Sequence, residues 1–215
     1  MKIKIFENKN IKWVVSETYN YMFNKNNGNF IRWGRTREDD PQYAPAPEIA
    51  DIEISTVCSG VTNIGPCKFC YKGNTPVGEN MSLETFKKLF SVLPKTLTQI
   101  AVGIGDLPQI KYYKKMEQKY KTINNERYEE ITREEYLVNK DNPNFIKQYE
   151  GGNPDMLDIF WHCRNNGVIP NVTINGDRLG DEMAEELSKV CGAVAVSRIS
   201  DISGQKVLLK RRKKL

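Results

Sequence analysis

The stretch Asp51-Ile-Glu-Ile-Ser-Thr-Val57, with the loop that follows from Cys58 to Cys67-Lys68-Phe69-Cys70-Tyr71, decides how this chain reads. Its first seven residues are rich in β-branched side chains and partly alternating, the pattern of a strand entering a core. The loop then spaces three cysteines as C-x8-C-x2-C. Gly60, Gly65, Pro66 and Gly73 make it too polar and turn-rich for the buried wall in which a free cysteine ordinarily sits. Ligands gather at the carboxyl ends of parallel strands, and thiolates select zinc or iron-sulfur centres. A structural zinc site takes four protein ligands, whereas a [4Fe-4S] cube held by Cys58, Cys67 and Cys70 keeps one iron open to a substrate or cofactor. Cys163, His162 or Cys191, far along the chain, could supply a fourth ligand, so the cysteines alone leave zinc and cluster open.

Outward from that loop, Ser82 is an N-cap, and Leu83, Phe86, Leu89, Phe90 and Leu93 share one side. They predict an amphipathic helix over Ser82 to Leu93, stopped by Pro94. Thr98 to Val102 reads as the next strand and runs into Gly103-Ile104-Gly105-Asp106-Leu107-Pro108. Asn171 to Asn175 and Ala193 to Ser197 are two more strands, with a helix over Gly180 to Val190 between them. Strands and helices in that order imply parallel strands with right-handed crossovers, an α/β layer or an open barrel. Residues 1–50 read as a lead-in: an alternating piece Lys2 to Phe6, a strand or helix within Ile11 to Phe23, and a turn at Asn24 to Asn29. Its proline-rich end, Asp40 to Pro47, cannot be helix interior. Residues 51–200 form the expected core, with an insertion at about 109–152. Dense in Lys, Glu, Asn and Tyr, Lys111 to Gly152 reads as an exposed helical excursion before a helix from Asn153-Pro154 through Asn165.

The segment Cys67-Lys68-Phe69-Cys70-Tyr71 resembles the second half of the C-x3-C-x-aromatic-C motif of the radical S-adenosylmethionine (radical SAM) superfamily, although the first gap here is eight residues. Gly103-Ile104-Gly105-Asp106 is similar to the family's glycine-rich motif after strand two, more often Gly-Gly-Glu. Thr173-Ile174-Asn175-Gly176 is similar to its Thr-x-Asn-Gly, and Ser197 matches a polar residue ending strand four. The resemblance spans about Ile52 to Ile199 and implies a partial (β/α) barrel of that family's type, with about four of six βα units visible. It also implies a [4Fe-4S] cluster on Cys58, Cys67 and Cys70. S-adenosylmethionine would be met by Gly103, Gly105, Asp106, Thr173, Asn175 and Ser197, with Phe69 and Tyr71 shaping the adenine side. A one-electron reductant such as a flavodoxin or ferredoxin would drive cleavage of that cofactor to a 5′-deoxyadenosyl radical, which takes hydrogen from a substrate the sequence does not identify. Read without the resemblance, Asn175-Gly176 is a favoured turn pair, Gly103 to Pro108 a plain turn, and Thr173 and Ser197 rim hydroxyls.

Composition sets the outer bounds. The 215 residues are 39% hydrophobic and 27% charged, which predicts a folded domain rather than a disordered chain. No apolar run approaches the ~20 residues of a membrane span, and the start lacks the pattern of a signal peptide, so the expected setting is cytoplasmic and reducing. The net charge of +5 is misleading, because six Lys and Arg fall within residues 206–215 without one acid, and the rest of the chain is nearly neutral. That basic tail, 201–215, is a weak pointer to nucleic acid. Only four core strands are visible, which leaves room for a partner chain that completes the barrel. Two rival readings follow: a non-enzymatic zinc or iron-sulfur module, and an inactive truncated remnant.

Overall fold

Alternating apolar and polar residues build strands, not a loose lead-in, at the start of the chain. The computed structural model describes residues 2–60, 67, 70–116, 127–176 and 178–197. Strands β1 (Lys4–Glu7), β2 (Ile11–Val15), β3 (Asn20–Asn24) and β4 (Phe30–Trp33) form an antiparallel meander in that spatial order. Val14, Tyr21 and Phe23 point inward and are buried, while their neighbours Trp13 and Met22 take the other face. The Ile11 to Phe23 segment is therefore two strands, folded at Ser16, whose hydroxyl donates to the Tyr19 carbonyl and accepts from the Tyr19 amide. The Asn24 to Asn29 turn is as expected, with the Asn24 amide donating to the Asn29 carbonyl.

The remaining elements are β5 (Ile49–Glu53), α1 (Leu83–Val92), β6 (Gln99–Gly103), β7 (Gln109–Lys115), β8 (Tyr128–Ile131), α2 (Arg133–Val138), β9 (Phe145–Glu150), α3 (Met156–Asn165), β10 (Ile169–Asn175), α4 (Asp181–Val190) and β11 (Ala193–Ser197). Strands β5, β6, β10 and β11 lie side by side in that order and all run parallel. Helix α1 starts where expected, because the Ser82 side chain accepts from the Thr85 amide. Helices α1, α3 and α4 cover one face of this sheet, packing Phe86, Ile159, Phe160 and Leu187 with Ile100, Val102, Val172 and Ile174. The opposite face carries Gly103, Thr173, Asn175 and Ser197, none of them fully buried.

The expected partial (β/α) barrel is not what forms. Among the described residues the parallel sheet is open, with β5 and β11 each hydrogen-bonded to a single neighbour, and seven of the eleven described strands belong to antiparallel sheets. Two segments account for the difference. The lead-in is the meander just described. The insertion's described residues form a three-stranded antiparallel sheet of order β8-β7-β9 and, among them, the six-residue α2 in place of an extended helix. Tyrosines decide the latter: Tyr112 is buried, its ring stacks on Tyr136 with centroids 4.6 Å apart, and a pleated surface accepts such rings better than an exposed helix does.

These two sheets frame opposite ends of the parallel one. At the amino ends of β6 and β10 the meander is fastened by the buried Lys12, whose Nζ donates to the Leu97 carbonyl at 2.5 Å, and by the Tyr21 hydroxyl, which donates to the Thr96 carbonyl. Ile169, the first residue of β10, joins the meander's own core. At the carboxyl ends, β7 leaves β6 through Pro108, and the Tyr112 hydroxyl meets Glu182 in the first turn of α4. The carboxyl edge is thus left for the cysteine loop. Among the described residues no helix is long and apolar enough to cross a membrane.

Candidate functional site

Cys58 follows the end of β5 and is held by backbone pairing: its amide donates to the Thr75 carbonyl, and Val57 bridges Thr75 in parallel. Burial pushes the Cys58 thiol above its ordinary pKa, the Gly60 amide pulls it down, and the charges of Asp106, Cys67 and Cys70 push it up again. Asp106, Cys67 and Cys70 therefore all lie within electrostatic reach of Cys58. Cys67 is half-buried and Cys70 exposed, and the Cys70 amide donates to the Cys67 carbonyl at 2.9 Å. The thiols are neighbours without being an assembled ligand set: among the described residues no group of three or more His, Cys, Asp or Glu is disposed to hold a metal ion.

Asp106 is the polar centre of this edge. It is 2% exposed, and its Oδ2 accepts from the Ser59 amide at 2.8 Å and pairs with an Arg178 guanidinium nitrogen at 3.3 Å. Its Oδ1 is buried and has no hydrogen-bond partner among the described residues. A buried carboxylate with one unsatisfied oxygen is costly unless something fills the place. The backbone packs tightly around it. A Cβ on Gly105 would lie 2.1 Å from the Val57 carbonyl oxygen and 2.8 Å from the Cys58 Cβ, so only glycine lets the β6 exit approach the cysteine loop. Gly152, at φ +54°, likewise sits where a Cβ would come within 2.3 Å of the Asp106 carbonyl oxygen.

Register brings most of the other expected residues to the same edge. Glu53 pairs with Gly103, and Val172 with Val102, which sets Thr173 level with Gly103; Asn175 pairs with Ser197. The Asn175 amide donates to the Gly60 carbonyl at 3.3 Å and so ties β10 to the cysteine loop. Thr173 is exposed on the sheet's uncovered face. Tyr71 is 92% exposed and packs as no wall here, while Phe69 lies outside the described residues. The basic tail, 201–215, also lies outside them.

The distant candidates for a fourth ligand stand at the wrong end. Cys163 is in the last turn of α3 and Cys191 just after α4, so both precede the amino ends of the strands whose carboxyl ends face Cys58. Burial pushes each of these thiols up to about 12, and the charged neighbour that Cys163 feels is Cys191. His162 has its ring against Phe86 and Phe90, where burial lowers its pKa. Side chains at this edge that the sequence reading did not single out are Arg178 and the pair Lys72 and Glu53, 3.1 Å apart beside Gly103. Arg178 stands two residues past the Asn175-Gly176 turn, beside the expected motif, whereas the Lys72 to Glu53 pairing has no sequence signal. Asn153 was seen only as a helix start, yet its amide donates to the carbonyls of Ile54 and Met81 and fixes both ends of the cysteine loop. No protein-family model, curated protein or solved structure matches this chain.

Proposed function

We propose that Cys58, Cys67 and Cys70 hold a [4Fe-4S] cluster and that S-adenosylmethionine binds beside it along the carboxyl edge of β5, β6, β10 and β11, in an enzyme of radical SAM type. The reading carries over the donor set and not the barrel. Its main support is that Cys58, whose thiol feels the charges of Cys67, Cys70 and Asp106, lies beside a buried carboxylate whose Oδ1 has no hydrogen-bond partner among the described residues. Sulfur donors on a turn-rich loop suit an iron-sulfur centre in chemistry. When bound, such a centre supplies one electron to the sulfonium of S-adenosylmethionine, releasing methionine and a 5′-deoxyadenosyl radical that takes hydrogen from a substrate.

The chain's own residues then have definite parts. Asp106 Oδ1 accepts from the ammonium of the methionyl group, while the Ser59 amide and Arg178 hold the carboxylate aimed. Gly105 keeps the backbone close to Cys58, so that amine recognition and cluster ligation share one small space. Thr173, Asn175 and Ser197 present a hydroxyl, an amide and a second hydroxyl toward the carboxylate and ribose. A flavodoxin or ferredoxin supplies the electron.

The test is anaerobic reconstitution of the full chain with iron and sulfide, followed by dithionite and S-adenosylmethionine, with 5′-deoxyadenosine and methionine read by mass spectrometry. Equimolar formation of the two is expected. Cys58→Ala should abolish it, and Asp106→Asn should raise the KM for S-adenosylmethionine at least tenfold. Retention of zinc in place of iron, or a cluster with no cleavage, would overturn the proposal.

A further inference from the structure

The meander's outer face carries an apolar row that the fold leaves uncovered. Phe6 pairs with Trp13, Trp13 with Met22, and Met22 with Ile31, one residue per strand in a straight line across all four strands. Phe6 is 56% exposed, Trp13 45% and Ile31 48%. Trp33, on the same face, meets the Trp13 ring edge-on with centroids 6.2 Å apart. The solvent face of an antiparallel sheet is ordinarily polar, and a contiguous exposed apolar patch marks an interaction site.

Charge says what kind. Residues 1–37 hold eight Lys and Arg against only Glu7 and Glu17, whereas residues 38–205 hold 18 basic and 25 acidic residues. Before the tail, the positive excess thus falls on the meander and its flanks, although Lys12 is buried, Lys25 pairs with Glu7 at 3.1 Å, and Asp39 accepts from the Arg35 amide just past β4. Lys4 shares the Phe6 face of β1, and Arg35 and Arg37 follow directly on β4. Near the turns after β1 and β3, Lys9, Lys25 and Arg164 line a cavity of about 330 Å³. A second copy of the chain would bring like charge against like. A polyanion with flat apolar groups satisfies both features.

We propose that this face docks single-stranded nucleic acid, with bases stacked on Phe6, Trp13 and Trp33 and phosphates drawn to the flanking Lys and Arg. Stacking on aromatic rings requires splayed bases, which a duplex does not offer, and tolerates any sequence because every base has a π-face. The surface lies at the end of the molecule away from the cysteine loop, and the inference does not depend on the cluster.

The experiment titrates full-length protein into fluorescein-labelled 12-nucleotide uridine and thymidine oligomers and into a 12-base-pair duplex, reading fluorescence anisotropy at low and moderate salt. Saturable binding of either single strand at least tenfold tighter than the duplex is expected, with affinity falling as salt rises. Trp13→Ala should weaken it roughly 5- to 100-fold, and Phe6→Ala should act in the same direction; both residues are exposed, and circular dichroism checks that each variant folds. Absence of saturable binding would overturn the proposal. So would duplex binding as tight as single-strand binding, or unchanged affinity in both variants, which would assign any binding to the tail. A dimer in sedimentation that Trp13→Ala dissociates would also overturn it, because a second copy would then own the face.

Discussion

Asp106 shows how much a single residue can carry. Its carboxylate is buried and held by one amide and one guanidinium, so removing Arg178 leaves an uncompensated charge, whereas Asp106→Asn removes the charge and keeps an acceptor for Ser59. Urea denaturation near pH 7 should therefore show Arg178→Ala costing about 1–3 kcal/mol and Asp106→Asn costing less; the reverse order would mean that the pair is not coupled. The cysteines give a second residue-scale prediction. Burial holds Cys163 and Cys191 at about 12, and Cys163 is fully buried, while Cys70 is exposed. Iodoacetamide at pH 8, mapped by mass spectrometry, should modify Cys70 first and leave Cys163 unmodified in the native state. The C-x8-C-x2-C loop was legible in the sequence because cysteines are rare and turn residues flank them. The Asp106 to Arg178 pairing was not, because an ion pair between two loops leaves no periodic trace.

At the scale of elements, legibility followed periodicity. Helix α1 announces itself through Ser82 and an apolar face, and the structure caps it as expected, so Ser82→Ala should lower stability by about 1 kcal/mol in denaturant titration. No change would mean that the Ser82 to Thr85 bond is already matched by water. Strands β6, β10 and β11 lie where β-branched runs end at glycine, asparagine or serine, whereas β5 spans Ile49–Glu53, earlier than the expected Asp51 to Val57, because the chain turns aside before Cys58. Strand β7 was misread. Its Gln-Ile-Lys-Tyr-Tyr-Lys-Lys sequence has the charge of a solvated helix, yet Tyr112 is buried on one side while Tyr113 on the other meets Glu150. Lysines lying along such a strand hide its period of two.

The whole molecule is a parallel sheet between two antiparallel ones, and no local signal specified how the three would join. The meander is fastened by Lys12 and Tyr21, both long amphipathic side chains that reach backbone carbonyls at Thr96 and Leu97. Its cover at one end, with helices on one face, stabilises the sheet without barrel closure. The joint makes a pH prediction. Burial raises the Tyr21 hydroxyl above its ordinary value of 10.0, as it does for Tyr112, so the unfolded chain loses these protons first. Their contribution is complete below pH 10 and is lost as pH rises beyond it. Lys12, lowered by burial, works the opposite way, adding stability as pH climbs toward 10.5. Cys163 and Cys191 add to the loss above pH 9. Urea midpoints between pH 8 and 11 should therefore fall at the alkaline end, and less steeply in Tyr21→Phe; equal slopes would place the Tyr21 hydroxyl in water.

The central proposal concerns one edge of that sheet: that Cys58, Cys67 and Cys70 hold a metal centre with a free position, next to a carboxylate that would receive an amine. Electron paramagnetic resonance of the anaerobically reconstituted, dithionite-reduced chain, recorded with and without S-adenosylmethionine, tests it most directly. The account predicts a reduced [4Fe-4S] signal whose shape changes on addition of the cofactor and which is lost in Cys58→Ala. A signal indifferent to the cofactor, or a colourless protein that holds zinc, would contradict it.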